Sequence, residues 1–220
     1  MKKITIIEAV QDFFASDLAG DMKGKFHPEI IKTHLSTAFN QTIYNVWLNG
    51  KKFSDFSQLD AWSRTYEVAV LSQVGTNAHA LLPIAPIQLP DGMGIRLISD
   101  HDDNATVLCP VEATSSPIFA ELEVDTMDDM PTYRLEQNNT FAGAGEESHM
   151  LKLEKMPVAP SAITALDVMM VVSPEQLDDY DDLAMPAGAE DSLIRQVIDL
   201  MMRKPQVDNL NDQNPQSPIQ

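Results

Sequence analysis

The spacing of the apolar residues changes from a helical period to a strand period between residues 50 and 64. Before this point they recur in steps of four, and so line one face of a helix: Ile31, Leu35, Phe39, Ile43 and Trp47. After it, "RTYEVAVL" (residues 64–71) places apolar residues at every second position, as a half-buried strand does. One chain therefore combines a helical segment with a sheet, and we predict the α+β class.

The helical segment comprises residues 1–50, and its sequence predicts a helix pair. Thr5 and Glu8 are spaced as a capping box at the start of the first helix, and Gly20 marks its end. The second helix is expected to begin at Pro28, because proline favours the first helical position. The pair Asn49-Gly50 is typical of a helix stop.

Residues 60–175 are expected to form an antiparallel β module, sandwich-like or barrel-like, because short strand patterns alternate there with turn residues. The strand candidates after residue 71 are "GIRLIS", "ATVLCPVE", "PTYRLEQ", "HMLKLEKM" and "ALDVMMVVS". The polar residues "DHDDN" between the first two predict a hairpin. In contrast, "LLPIAPIQLPDGMG" carries three prolines and an Asp91-Gly92 turn, so we expect an extended segment that is not a central strand throughout.

The C-terminal part is expected to contain an acidic linker, a helix and an extended tail. The linker comprises residues 176–188 and the helix residues 189–204. One face of this helix is apolar, and it is made of Leu193, Val197, Leu200 and Met201. The tail, residues 205–220, is rich in Asn, Gln and Pro, so we predict that it is flexible in the isolated chain and ordered only in an assembly.

A formal net charge of −18 restricts the partners of this chain. It repels DNA, RNA and anionic lipid, which excludes a surface that grips DNA but not one that DNA slides past. The single cysteine, Cys109, can form neither an intramolecular disulfide nor a cysteine-based zinc site. No run of about 18 apolar residues predicts a membrane-spanning helix, and Glu8 and Asp12 interrupt any signal-peptide core. We expect a soluble protein made in the cytoplasm.

Four carboxylates lie within five positions of the linker: Asp178, Asp179, Asp181 and Asp182. Such a cluster can hold a metal, do acid–base work or remain in water. Acid–base work requires a cleft that separates two pKa values, and the linker has few apolar anchors to build one. Mutual repulsion favours an extended, hydrated linker, and we adopt that interpretation over a metal site.

The hairpin "DHDDN" has part of the spacing of a calcium-binding loop. Asp100, Asp102 and Asn104 occupy its first, third and fifth positions. Ala105 stands where the loop needs glycine, and Val111 stands where it needs a bidentate glutamate. We therefore reject an EF-hand and leave open only a weak, adventitious cation site between residues 100 and 104.

The remaining candidates for chemistry are incomplete. The Gly-x-Gly within residues 142–145 is followed by Glu146 and Glu147, which would repel a phosphate. The five histidines lack the helical spacing of a zinc hydrolase, and Cys109 lies in an apolar strand, where a buried inert thiol is expected. We assign no catalytic, cofactor-binding or metal-binding residue, expect no cofactor, and predict that the protein is not an enzyme.

The overall sequence resembles structural proteins of the virions of tailed phages that infect Bacteroidetes, of the crAss-like type. The likeness is to their head-to-tail ring proteins, the connectors or adaptors. The stretches that carry it are "TIIEAVQDFF", "AFNQTIYNVWLNG" followed by "YEVAV", "LPIAPIQLPDGMGIRLIS", and "LAMPAGAEDSLIRQVIDLMMRKPQVDNLNDQNPQ". Residues 114–150 match nothing in these proteins.

The resemblance implies a structural subunit, present as identical copies in a ring stacked on the portal, with DNA passing through without specific binding. The expected partners are other copies of the chain, the portal and neighbouring neck or tail proteins, and the expected location is the virion. Two alternatives stay open within the same class: another virion or tail part, and an assembly factor. A small metal-dependent hydrolase using Asp100, Asp102, Asp178 and Asp182 is an alternative from another class. A further alternative is a peptide- or protein-binding module that uses the helix carrying Met201 and Met202.

Overall fold

A computed structural model of the chain describes residues 1–17, 27–90, 94–103, 106–110, 130–138, 148–158 and 162–202. Several expectations lie outside these ranges. They are the end of the first helix near Gly20, the Asp91-Gly92 turn, residues 104 and 105, the Gly-x-Gly segment, the end of the last helix at residues 203–204, and the tail 205–220. Within the described ranges, no helix is long and apolar enough to cross a membrane.

The first helix, α1, spans Lys3–Asp17 and begins earlier than the sequence indicates. Thr5 therefore lies inside the first turn, and the predicted capping box at Thr5 is wrong. Residues far away in the sequence cap this helix instead. The backbone N–H groups of Lys3 and Ile4 donate to the carbonyl oxygens of Asp181 and Asp179, at 3.0 and 2.8 Å.

The second helix, α2, spans Pro28–Phe53 and begins at the predicted proline. Its predicted end at Asn49-Gly50 is wrong, because the helix continues to Phe53. Gly50 is an interior residue, and a Cβ added to it would lie 2.6 Å from Cδ1 of Phe56. This glycine therefore allows the chain after α2 to pack closely against the helix. A short helix, α3 (Ser57–Asp60), follows, and the C-terminal helix, α4, spans Ala189–Met202.

Seven strands are described: β1 (Arg64–Val74), β2 (Asn77–Leu81), β3 (Ile95–Asp100), β4 (Cys109–Pro110), β5 (Thr132–Asn138), β6 (Ser148–Glu154) and β7 (Ala165–Met170). Their order in the sheet is β3-β7-β1-β2-β6-β5-β4. The β4–β5 pair is parallel and the other pairs are antiparallel, so the sheet is mixed, where we predicted an antiparallel one. The sequence analysis did not identify β2.

The two outer strands of this order, β3 and β4, come together and nearly close the sheet into a barrel. Ser99 of β3 forms an antiparallel bridge with Val107, two residues before β4. The backbone N–H of Leu108 donates to the carbonyl of Ile98 at 2.9 Å. The chain thus returns along β3 after residues 101–103, as the predicted hairpin requires. The α+β class with a barrel-like module is confirmed.

One hydrophobic core joins the helices to the barrel of the same chain. The five apolar residues predicted for one face of α2 are all buried: Ile31, Leu35, Phe39, Ile43 and Trp47. The rings of Phe39 and of Trp62, just before β1, pack edge-to-face with 5.5 Å between their centroids. On the other side of α2, the Thr42 hydroxyl donates to Oε1 of Gln196 in α4 at 2.9 Å. The helical layer therefore packs on the barrel through a shared core.

Candidate functional site

The acidic segment before α4 packs tightly against the N-terminal helices, so the predicted hydrated linker is wrong. Leu177 and Leu183 are buried at its two ends. Its carbonyl oxygens cap α1, and the backbone N–H of Leu183 donates to the carbonyl of Met1 at 2.9 Å. We call residues 177–183, together with Lys3 and Lys32, the acidic clasp.

Lysines neutralise the central carboxylate of the acidic clasp. Nζ of Lys32 lies 2.8 Å from Oδ2 of Asp179 and 3.0 Å from Oε1 of Glu29. Nζ of the buried Lys3 lies 3.4 Å from Oδ1 of Asp179 and donates to the carbonyl of Leu177 at 2.8 Å. The hydrogen bond from Lys32 lowers the pKa of Asp179, and its hydrogen bond to Asp179 raises the pKa of Lys32.

An open cleft of about 680 Å³ lies over the acidic clasp, between the start of α2 and residues 175–181. Both ammonium and carboxylate groups line it. Because the lysines occupy both oxygens of Asp179, this carboxylate is used to hold the segment in place. The arrangement joins α1, α2 and the chain leading to α4 by ion pairs.

The carboxylates of the alternative hydrolase hypothesis lie on two different parts of the structure. Asp100 and Asp102 are on the hairpin after β3, where Oδ1 of Asp100 accepts the backbone N–H of Asp102 at 3.1 Å. Asp178 and Asp182 belong to the acidic clasp. In the part of the chain that the structure describes, no three His, Cys, Asp or Glu side chains are arranged to hold a metal ion.

The same hairpin carries a histidine–aspartate pair that the sequence did not indicate. Nδ1 of His101 lies 2.9 Å from Oδ1 of Asp167, which is on β7. This hydrogen bond and the nearby charges of Asp167, Glu67 and Asp102 raise the pKa of His101. When protonated, His101 ties the hairpin to the outer surface of the barrel.

Two other candidates from the sequence have surroundings that differ in part from the prediction. Cys109 is only partly buried, whereas we expected a buried thiol. It lies beside Tyr133, and burial raises the pKa of this tyrosine to about 12. In α4, Met201 packs against the core, whereas Met202 is exposed.

Among the residues that the structure describes, the outer face of α2 is a surface whose own residues are uncharged, with Lys51 and Lys52 following it in the chain. The sequence from residue 35 to residue 50 contains no Asp, Glu, Lys or Arg. On the side of α2 away from the core, Tyr44 and Leu48 are 46% and 42% exposed. A shallow groove of about 550 Å³ runs beside them, lined by Thr37, Asn40, Gln41, Tyr44 and Asn45. We call these residues and Leu48 the α2 face.

A second surface whose own residues are uncharged is the tip of the hairpin between β1 and β2, beside which Glu154 and Lys155 lie across the β2–β6 pair. Residues 68–90 also contain no Asp, Glu, Lys or Arg. At the tip, Val74 is 78% exposed, and Val158 from the segment after β6 is 54% exposed. Nε2 of Gln73 donates to the carbonyls of Gly75 and Pro157, at 3.1 and 2.8 Å, and so fastens the two segments together. We call residues 73–77 with Val158 the hairpin tip.

Sequence reasoning missed both surfaces because it looked for residues that do chemistry. The signal that could have found them is the lack of charged residues over residues 35–50 and 68–90, in a chain with 22% charged residues. The alternation of a strand or the period of a helix also leaves one side of each element to the solvent. An uncharged outer side on such a chain is a candidate for a contact surface, because the cores of protein interfaces are depleted of charged residues.

No protein-family model matches the sequence, and no curated protein matches it.

Proposed function

We propose that this protein is a structural subunit of a tailed-phage virion and forms part of a ring in the head-to-tail connector. The resemblance of the sequence to connector proteins of crAss-like phages supports this proposal. Its partners would be other copies of the chain, the portal and neighbouring neck proteins. Its place would be the virion, after synthesis in the host cytoplasm.

The observation that carries the proposal is the presence of two partly apolar surfaces whose own residues are uncharged, on a chain with a net charge of −18. Identical copies with this charge repel one another in solution. Copies in a stable ring must therefore meet at surfaces without carboxylates, and the cores of protein interfaces are depleted of charged residues. The α2 face and the hairpin tip have this property.

The remaining surface suits the lining of a DNA channel. A ring around passing DNA must not bind the phosphate backbone, because cationic side chains that bind the phosphates would slow the passage of the DNA. A chain with 33 Asp and Glu against 15 Lys and Arg repels that backbone. The acidic clasp keeps its carboxylates in fixed positions, as a rigid assembly part requires.

Light scattering of the purified chain and imaging of virions at the neck test this function. We expect a large, closed oligomer in solution, or a monomer that joins virions and gives density at the neck between the head and the tail. A chain that stays monomeric and is absent from virions would rule out the proposal. A monomer that binds one divalent ion, and loses an activity when Asp102→Ala is introduced, would support the hydrolase alternative.

A further inference from the structure

We propose that the cleft over the acidic clasp binds a guanidinium group, presented as an arginine side chain by a partner protein. This cleft is the opening of about 680 Å³ between the start of α2 and residues 175–181. A binding site of this kind goes beyond the ring function, because it concerns a ligand group and not the arrangement of copies. Each of the two proposals can therefore fail without the other.

The ammonium groups that line the cleft are already used within the chain. Nζ of Lys32 lies 2.8 Å from Oδ2 of Asp179 and 3.0 Å from Oε1 of Glu29. Nζ of Lys3 lies 3.4 Å from Oδ1 of Asp179 and donates to the carbonyl of Leu177 at 2.8 Å. Because carboxylates neutralise both lysines at close range, the cleft has little attraction for an anionic ligand.

Three further carboxylates line the cleft, and they give it an excess of negative charge. They belong to Glu175, Asp178 and Asp181. Within the described ranges of the chain, none of them forms an ion pair. Oδ2 of Asp181 accepts the backbone N–H of Asp178 at 3.0 Å, which holds this carboxylate in place. The cleft therefore attracts a cation.

The spacing of these carboxylates suits an organic cation. No three His, Cys, Asp or Glu side chains of the described residues are arranged to hold a metal ion. A metal ion needs its oxygen ligands within about 2.6 Å of one point. A cation whose hydrogen-bond donors are spread over several ångströms can instead reach carboxylates that do not converge.

Ser36 provides a second observation, which is independent of the acidic residues. It lines the cleft and is only 2% exposed. The hydroxyls of Thr33 and Thr37 on the same helix donate to carbonyls four residues earlier, but no described residue hydrogen-bonds to the hydroxyl of Ser36. This oxygen is not fully enclosed, in contrast to Oδ1 of Asn40, so a group in the cleft can reach it. A nearly buried hydroxyl without a partner in the chain indicates a place for a ligand.

A guanidinium group fits these features better than a compact ammonium does. Its five N–H donors lie in one plane, so it can donate to the hydroxyl of Ser36 and to carboxylates at the same time. Tyr180 also lines the cleft and is 75% exposed, and its ring offers a face on which a guanidinium can stack. The cleft is open to solvent, so an arginine on the surface of another protein can enter it.

Titration of the full-length chain with short peptides tests the proposal, with nuclear magnetic resonance shifts of the backbone amides as the readout. The probe is acetyl-Gly-Arg-Gly-amide. We expect a dissociation constant on the order of 1 mM, with shifts confined to residues around the cleft. The same peptide with citrulline in place of arginine has nearly the same shape without the charge, and should bind at least about 10-fold more weakly. A lysine peptide should bind less tightly than the arginine peptide.

Variants of the cleft identify the groups that bind. Glu175→Gln and Asp178→Asn each remove an unpaired carboxylate at an exposed position and should weaken binding about 2- to 5-fold. Ser36→Ala removes one hydrogen bond and should weaken it about 2- to 10-fold. Asp199→Asn is the control, because it removes the same charge from an exposed position of α4 outside the cleft. Circular dichroism checks folding, and the two carboxylate variants test the proposal if Ser36→Ala does not fold.

Three results would overturn the proposal. Equal binding of the citrulline peptide would mean that the guanidinium charge is not recognised. Equal weakening by Asp199→Asn would mean that only the net charge of the chain attracts the peptide. Shifts that avoid the cleft would place the peptide elsewhere. A closed ring in light scattering together with any of these results leaves the ring function standing, whereas specific peptide binding by a permanent monomer leaves only the cleft proposal.

Discussion

Nζ of Lys32 in α2 lies 2.8 Å from Oδ2 of Asp179, in the segment that leads to α4. The same carboxylate is also 3.4 Å from Nζ of Lys3 in α1. One aspartate thus connects three parts of the chain that are distant in sequence. This arrangement makes the acidic clasp a structural joint, and it leads to the first two predictions.

Replacing Lys3 by methionine should destabilise the protein. The change keeps most of the buried aliphatic chain but leaves the carbonyl of Leu177 without its donor. We expect the free energy of unfolding to fall by about 1–3 kcal/mol, the usual cost of an unsatisfied buried polar group. Urea denaturation measures it. Lys2→Met removes the same charge at the adjacent exposed position and should have little effect. Equal losses in the two variants would contradict a specific role for Lys3.

The contribution of Asp179 to stability should disappear in acid. Its pKa is lowered in the folded protein, chiefly by the hydrogen bond from Lys32, so its stabilising effect is present above its ordinary value of 3.8. The effect is lost as the pH falls through the lower, folded-state pKa. Asp179→Asn should therefore be less stable than the wild type at about pH 6 and approach it at about pH 2.

Thermal melts at both pH values test this expectation. Asp178→Asn is the control, because it removes the same charge from an exposed neighbour in the same segment. A difference between wild type and Asp179→Asn that does not change with pH would mean that the ion pairs with lysine are not its cause.

The His101–Asp167 pair should make stability depend on pH in the sense opposite to that expected for Asp179, with the stabilising effect present at low pH and lost at high pH. The hydrogen bond to Asp167 raises the pKa of His101 above its ordinary value of 6.5. Its stabilising effect is fully present below 6.5 and is lost as the pH rises through the higher, folded-state pKa. His101→Gln should thus destabilise the protein at about pH 5 and much less at about pH 9.

Nuclear magnetic resonance titration of the histidine ring, alongside thermal melts, provides the measurement. His79→Gln, which replaces a histidine on strand β2 away from this pair, is the matched control. If the His101 ring titrates at or below 6.5, the pair with Asp167 does not persist in solution.

Gly50→Ala should destabilise the protein although it lies within a helix. Alanine normally stabilises a helix interior by about 1 kcal/mol relative to glycine. Here the new Cβ would lie 2.6 Å from Phe56 and 2.9 Å from the carbonyl oxygen of Asp55. We expect a net loss of about 1–3 kcal/mol, as for overpacking elsewhere. Asn49→Ala, at the adjacent exposed position, should stay within about 0.5 kcal/mol of the wild type. A stabilised Gly50→Ala would contradict the close packing after α2.

The helices and most strands could be predicted because the period of the apolar residues is a local property. The apolar face of α2 is buried as its spacing requires, and β7 alternates between buried and half-buried residues. The ends of the elements were less predictable. The capping groups of α1 come from the acidic clasp. Glycine is required at position 50 because Phe56, after the end of α2, packs where a Cβ would lie.

The environment of the carboxylates in the acidic clasp could not be predicted from the local sequence. Repulsion among neighbouring aspartates predicts a hydrated linker when only the local sequence is considered. The cations that reverse this result, Lys3 and Lys32, lie far away along the chain and reach Asp179 only after folding. The same is true of His101 and Asp167, which meet because β3 and β7 are neighbours in the sheet.

The sequence by itself determined the α+β class, the buried face of α2 and the two uncharged stretches, because each depends on residue type and spacing along the chain. The tertiary structure decided the closure of the barrel, the pairing of the acidic clasp with lysines, and the outward position of the α2 face and the hairpin tip. The physical reason is that charge pairing and exposure depend on distances in space, and folding alone brings those residues together.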